Sequence, residues 1–239
     1  MTRALAILLF VAALSFALGP FLAPGFNGFD PDQFPIPQDN PPAQPAGYAF
    51  AIWGVIYVWL IVGAGFQLLK RADAPDWAPL RLPLIVSLVV GTSWLAVAQI
   101  SPVWSTVLIW VMWAGAVMAL LRAPERDGWF GHWPLGLYAG WLTAASCVSL
   151  ALLLAGYGVT DGVLAALLAL VLALGLAVMV ILRRSDAPGY PIAVVWALVG
   201  VVVGNWPDGP VVVMGLALVG ALGLAVLAWL RREQVSAGS

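Results

Sequence analysis

Few residues of this 239-residue chain could carry covalent or metal chemistry. It contains one cysteine, Cys147, and one histidine, His132. One cysteine excludes an internal disulfide and a multi-cysteine metal site, and one histidine excludes a histidine cluster. His132 is interpreted as an exposed loop residue, and no nucleophile–base pair is recognisable. The sequence therefore predicts neither a catalytic residue nor a metal site, and we expect that the protein is not an enzyme.

Aromatic side chains indicate binding rather than catalysis. The chain has 13 tryptophans, and tryptophans set in apolar segments can wall a pocket for a hydrophobic ligand. Trp53, Trp94 and Trp104 fall in the same half of the bilayer in the topology derived below. The alternative interpretation is that these side chains face lipid or pack in the core.

The elements that carry these residues are predicted to be transmembrane helices. Hydrophobic residues make up 63% of the chain and charged residues 9%, against about 25% charged in soluble domains. This composition excludes a soluble enzyme, a nucleic-acid binder and a disordered chain. Eight apolar stretches, most of them long enough to span a bilayer, predict an all-α integral membrane protein with eight transmembrane helices. The stretches are 4–22, 48–69, 82–100, 102–121, 134–156, 162–182, 190–206 and 211–230.

Charge placement predicts the topology. Eight spans with a cytoplasmic N-terminus place all ten basic residues on the cytoplasmic side and leave the opposite loops without Lys or Arg, which is the positive-inside distribution. Both termini are therefore predicted to be cytoplasmic, and the absence of a transit-like leader favours a bacterial plasma membrane. Residues 1–22 could alternatively be a cleaved signal, although their apolar run is longer than is usual for one. No ionisable residue is expected in the middle of a span, which argues against a proton pump.

Two sequence features bear on how the helices pack. Residues 24–45 carry seven prolines, so this segment is either a floppy external linker or an ordered lid across the bundle. Small residues recur at four-residue spacing in several spans, as at Gly200 and Gly204. Such spacing indicates close packing inside the bundle, and a homodimer surface is the alternative.

Aromatic motifs follow one another along the first five spans. The proline-rich loop leads into 50–57 (Phe-Ala-Ile-Trp-Gly-Val-Ile-Tyr), Ser93 and Trp94 lie in the third span, Trp104 opens the fourth, and 138–145 (Tyr-Ala-Gly-Trp-Leu-Thr-Ala-Ala) lies in the fifth. In this order they resemble the TspO/MBR family, the tryptophan-rich sensory or translocator proteins. The resemblance covers about residues 1–156. This chain departs from the family in having no tryptophan in its loop and in carrying three further helices.

The resemblance implies a fold, a function and a set of site residues. Residues 1–156 would form a five-helix bundle whose external loop, 23–47, lids a pocket, and 157–239 would add three helices and a short cytoplasmic tail. The implied function is a membrane receptor for a porphyrin, a haem-like molecule or another flat hydrophobic ligand, with a regulatory role as one option and with no required cofactor. A transporter of a small hydrophobic or zwitterionic metabolite and a porphyrin-modifying enzyme are the alternatives. The positions that match the family's pocket lining are Trp53, Tyr57, Trp94, Trp104, Trp141 and Ala145.

Overall fold

The computed structural model describes residues 2–22 and 28–237, and within them it contains eight α-helices, two short 3-10 helices and no strand. The predicted all-α membrane fold is confirmed. Seven helices are long and apolar enough to cross a membrane, and the seventh in order has only 17 residues. The helices are α1 Thr2–Leu22, α2 Ile52–Lys70, α3 Ala78–Ala98, α4 Pro102–Leu121, α5 His132–Gly156, α6 Gly162–Arg183, α7 Gly189–Asn205 and α8 Val211–Ala237.

Local sequence explains where two of these helices begin. The Ser101 side chain accepts a hydrogen bond from the Trp104 backbone N–H at the start of α4, and Pro102 occupies the first turn. The Asp161 carboxylate accepts hydrogen bonds from the backbone N–H groups of Val163 and Leu164, both at 2.9 Å, at the start of α6. Both are standard N-cap arrangements, which satisfy donors that a helix leaves unpaired.

The first five helices form a closed ring. α1 packs against α2 and α3, α3 against α4, α4 against α5, and α5 against α2. α6 and α7 pack on the outside of α5, and α8 packs on α6 and α7. One continuous core cluster includes buried residues of all eight helices. A division of the chain into two domains at residue 156 therefore stays a prediction.

The bundle has two chemically different ends. Successive helices run in opposite directions, so α1, α3, α5 and α7 all begin at one end, which we call the basic end. For α1 and α2, Gln67 near the end of α2 donates to the Ala6 carbonyl near the start of α1, and Trp53 at the start of α2 meets Phe16 near the end of α1. All ten Lys and Arg residues lie at the basic end, near the starts of α1 and α3, near the ends of α2, α6 and α8, or in the loops that follow α2, α4 and α6. The opposite end carries the proline-rich segment and is called the loop end.

The structure corrects the sequence analysis at Arg81. The third span was predicted to begin at 82, but Arg81 lies in the first turn of α3 and is fully buried. Its guanidinium donates hydrogen bonds to Gln67 Oε1 at 2.9 Å, to the Thr2 carbonyl at 2.9 Å and to the Arg71 carbonyl at 2.7 Å. Because a buried cation is costly unless its donors are satisfied, these bonds tie α1, α2 and α3 together at the basic end.

The interpretation of His132 as an exposed loop residue is also wrong. His132 is the first residue of α5 and is buried. Its Nδ1 lies 3.4 Å from the Pro124 carbonyl oxygen and 3.8 Å from an Asp186 carboxylate oxygen. It therefore joins the start of α5 to the loop before it and to the loop after α6.

Two ion pairs connect the loops of the basic end. Arg71 donates to both carboxylate oxygens of Asp127, at 2.7 and 3.1 Å, and Arg126 donates to both oxygens of Asp76, at 2.6 Å each. The hydrogen bonds from Arg71 hold the pKa of Asp127 below its usual value, and those from Arg126 do the same for the pKa of Asp76. Both pairs join the α2–α3 loop to the α4–α5 loop.

The depressed pKa of Asp127 predicts how stability depends on pH. A carboxylate whose pKa is lower in the folded state stabilises that state above its unfolded pKa of about 3.9, and the stabilisation is lost as the pH falls through the lower folded value. We expect Asp127→Asn to lower the melting temperature in detergent at pH 7 and to differ less from the parent at pH 3. Asparagine tolerates the positive φ of residue 127, which is 57°, so the substitution tests charge rather than backbone strain.

The matched control is Asp39→Asn, since Asp39 is an exposed carboxylate with no ion pair in the described part of the chain. It should leave the melting temperature unchanged at both pH values. If the melting temperatures of the parent and of Asp127→Asn differ by the same amount at pH 7 and at pH 3, the stabilisation does not come from the charge of the Asp127 carboxylate.

Candidate ligand-binding cavity

A cavity of about 380 Å³ lies at the loop end, inside the five-helix ring. Its volume falls within the range of about 300–1,000 Å³ that is typical of small-molecule pockets. α1, α2, α3 and α5 each contribute aromatic rings, and the segments between α1 and α2 contribute two more. The aromatic lining residues are Phe16, Phe29, Phe50, Trp53, Tyr57, Trp94 and Trp141.

One wall is a stacked pair of rings on α2. Trp53 and Tyr57 are four residues apart and therefore share a helix face; their ring centroids lie 5.3 Å apart at 17°. Phe16 of α1 meets both rings edge-on, at centroid distances of 5.9 and 5.1 Å. Trp141 of α5 meets Trp53 edge-on at 6.2 Å. These mutual contacts hold the rings of this wall against one another.

The opposite wall is fixed by a hydrogen bond between α3 and α4. The Trp94 Nε1–H donates to the Ser105 carbonyl at 2.8 Å, which fixes the indole across the gap between the two helices. Gly91, one turn before Trp94, faces the Phe16 ring so closely that a Cβ atom there would overlap it. The small residue thus lets α1 and α3 approach and places Phe16 in the cavity.

Most hydroxyl groups near the cavity already have protein partners. Thr143 donates to the Ala139 carbonyl and accepts from Trp113 Nε1–H, both at 2.9 Å. Ser149 differs. It lines the cavity and is only 3% exposed, and its hydroxyl makes no hydrogen bond to any residue that the structure describes. Tyr57 also lines the cavity, and its hydroxyl makes no hydrogen bond to a described residue, but Tyr57 is only partly buried. The Trp141 indole N–H, which is buried, also has no hydrogen-bond partner, so the two hydroxyls and this N–H are polar groups that the helices leave free for a ligand.

Five of the six residues selected from the family resemblance line this cavity: Trp53, Tyr57, Trp94, Trp141 and Ala145.

Trp104 does not line the cavity. Its side chain is 65% exposed at the third position of α4. The inward face of α4 carries Ser105, Ile109 and Met112, which follow helical spacing. Trp104 comes one residue before Ser105. Because successive residues of a helix are rotated by about 100°, its side chain points away from this inward face. Its assignment to the pocket is therefore wrong in geometry, although its helix is one of the walls.

The sequence analysis missed several lining residues. Phe16 of α1, Met112 of α4 and Ala197 of α7 also face the cavity. A phenylalanine or methionine in an apolar helix carries no signal that separates a cavity wall from core packing. Ala197 belongs to α7, which lies beyond residues 1–156, the part of the chain over which the aromatic motifs were compared, so those motifs could not point to it.

From residue 28 onward the proline-rich segment forms an ordered lid over the cavity, which decides between the two interpretations for this part of it, and residues 23–27 lie outside the described part of the chain. Gln33 Nε2–H donates to the Ala98 carbonyl at the end of α3, at 3.0 Å, and the Ile36 N–H donates to the Gly156 carbonyl at the end of α5, at 2.9 Å. The Ala46 N–H donates to the Gly200 carbonyl of α7, also at 2.9 Å. The roof of the cavity is made by Gly28, Phe29, Gln44, Pro45 and Gly47.

Glycines provide the docking sites of this lid. The buried ring of Phe34 lies against Gly156, where a Cβ atom would overlap it. Gly200 and Gly204 were expected to pack against another helix, but they face the lid at Pro45 and Ala46. The small-residue spacing of α7 therefore serves the loop, whereas that of α5 does pack on a helix, since Gly140 contacts α7.

Comparison with known proteins identifies a family and no individual relative. The family model described as TSPO-like protein matches residues 35–230. No curated protein and no solved structure matches the chain. The matched range takes in most of the lid, the ring from α2 onward and all three outer helices.

The contact between Gly156 and Phe34 predicts that Gly156→Ala loosens the lid. Overpacking typically costs about 1–3 kcal/mol, so the Ile36 amide, which bonds the Gly156 carbonyl, should exchange with solvent deuterium at least about fivefold faster. Gly54→Ala is the control, because a Cβ atom at Gly54 meets nothing within 4 Å. Unchanged exchange at Ile36 in folded Gly156→Ala would argue against the docking contact.

Proposed function

The chain belongs to the TSPO-like family, and we propose that it is a membrane receptor that binds flat hydrophobic ligands of the porphyrin kind beneath the lid. The observation that carries the proposal is the cavity of about 380 Å³ with seven aromatic rings in its lining. The proposed role is binding and regulation rather than catalysis or transport, and it assigns no required cofactor.

The stacked pair of Trp53 and Tyr57 is the proposed platform for the ligand. A flat aromatic ligand gains from offset stacking or edge-to-face contact with such rings, in addition to the burial of its apolar surface. The edges of Phe16 and Trp141 would enclose it from two sides. The Ser149 and Tyr57 hydroxyls can each donate or accept one hydrogen bond, and they would orient it.

The lid supplies the proposed regulatory output. Phe29 and Gln44 line the cavity from the loop side, so a ligand would touch the lid directly. The other face of the lid is exposed, as at Ile36. Occupancy of the cavity would thereby change a surface that a partner outside the bilayer can reach. The only histidine, His132, lies at the basic end and would not ligate the iron of a haem-like ligand here.

Binding is tested by tryptophan fluorescence with protoporphyrin dimethyl ester, an uncharged flat probe, in a non-ionic detergent. The parent should show saturable quenching. Ala145→Phe fills the space beside Trp141 and should weaken binding by about tenfold or more, equivalent to about 1.4 kcal/mol. Folding of each variant is checked by its melting temperature.

Trp104→Phe is the matched control, since it removes a tryptophan outside the cavity and should bind as the parent does. Equal affinity of the parent and a folded Ala145→Phe variant, or no saturable quenching in the parent, would refute the proposal.

We also propose that the basic end faces the cytoplasm of a bacterial plasma membrane, as the positive-inside distribution indicates. Single cysteines introduced at the exposed positions 39 and 73 test this in intact cells. Position 39 at the loop end should react with a membrane-impermeant thiol reagent, and position 73 at the basic end should not. The native Cys147 is buried and gives the background. The reverse labelling pattern would invert the topology.

A further inference from the structure

The cavity is lined without a single charged side chain. No Asp, Glu, Lys, Arg or His occurs among its lining residues in the part of the chain that the structure describes. Its polar groups are two hydroxyls, those of Ser149 and Tyr57, the amide of Gln44 and the indole N–H groups. A ligand that carries a charge into this cavity would therefore find no ionic partner.

Cations and carboxylates outside the cavity are distributed unevenly between the two ends of the bundle. The basic residues are all at the far end, and no Lys or Arg occurs anywhere between Arg3 and Lys70 in the sequence. At the loop end the only charges are carboxylates, and Asp30 directly follows Phe29 of the roof. The loop-end carboxylates are Asp30, Asp32, Asp39, Asp161 and Asp208.

This arrangement treats anions and cations differently. Desolvation inside the cavity is costly for a charge of either sign, because the lining holds no ion to pair with it. An anionic group that pointed out through the lid instead would meet carboxylates, whose repulsion is screened only beyond about 8 Å at physiological ionic strength. A cationic group is attracted by the faces of indole, phenol and phenyl rings, by about 0.5–2 kcal/mol at each well-placed ring.

We infer that the cavity selects its ligand by charge, accepting a flat aromatic molecule that is cationic or neutral and rejecting the corresponding anion. This inference rests on the proposed function, since it names the class of ligand that the same cavity takes. A carboxylate-bearing tetrapyrrole would bind poorly, and the same ring system with its carboxylates neutralised or replaced by ammonium groups would bind well.

Three derivatives of one ring system test the inference on the full-length protein. They are protoporphyrin, a dicarboxylate; its dimethyl ester, which is neutral; and its bis(2-aminoethyl)amide, which is cationic at neutral pH. Dissociation constants are measured by tryptophan quenching in non-ionic detergent, and only quenching that Ala145→Phe abolishes is counted. We expect the diamide to bind about tenfold or more tightly than the dicarboxylate.

The ester separates two kinds of failure. If the ester shows no quenching that depends on residue 145, the proposed receptor function fails and the inference with it. If the ester binds and the dicarboxylate binds as tightly as the diamide, or more tightly, charge selection is refuted and the receptor function stands.

A second test reverses the preference for cationic over anionic ligands and measures a gain of binding, not a loss. Gln44→Lys places a cation in the roof of the cavity and should tighten binding of the dicarboxylate by at least about fivefold. Gln38→Lys is the matched control, because Gln38 lies on the same loop, bonds only loop carbonyls and does not line the cavity. An equal effect of both lysines, or no effect of either, would overturn the inference.

Discussion

A bilayer offers no hydrogen-bond partners, so every polar group in this bundle must find its partner in the protein. The buried guanidinium of Arg81 is accordingly shared among two backbone carbonyls and the Gln67 amide. In the centre of the bundle, Ser87 donates to the Met112 carbonyl at 2.7 Å and lies 2.9 Å from the Tyr138 hydroxyl. The hydroxyls of Ser149 and Tyr57 stand out against this background. Like the Trp141 indole N–H, they are left unpaired where the helices enclose space instead of packing.

The seam between α5 and α7 brings one of the three outer helices, α7, to the cavity. Gly136 and Gly140 of α5 leave no room for a Cβ atom against Tyr190 of α7, and small residues of this kind let helix backbones approach closely. The Thr143 and Tyr190 hydroxyls add a hydrogen bond of 2.8 Å across the seam. Because α7 is held this closely to α5, Ala197 reaches the cavity wall, and Gly200 and Gly204 contact the lid.

Much of the fold follows from hydropathy and charge, because both are properties of single residues and their order. Arg81 was placed outside its helix for the same reason: a span drawn from hydropathy ends at a charge, and only the tertiary partners of Arg81 allow it to be buried. The lid could not be decided from its prolines, since the carbonyls that hold it belong to Gly156 and Gly200, more than 100 residues away along the chain. Among the site residues, those of α2 and α5 could be predicted from their motifs. Trp104 was misplaced because the inward face of α4 depends on its neighbours.

The shortness of α7 has a consequence for how the protein fits its bilayer. Its 17 residues rise about 25 Å, which is less than the ~30 Å hydrocarbon thickness that a spanning helix must match. The lid reaches down to Gly200, about 7 Å below the last residue of α7 by the same rise per residue. Asn205, at the end of α7, donates to the Pro42 carbonyl at 2.9 Å. Irregular backbone of the lid thus lies at the depth of the last turns of α7, where α7 itself pairs the lid's amide and carbonyl groups, as irregular backbone at membrane depth requires.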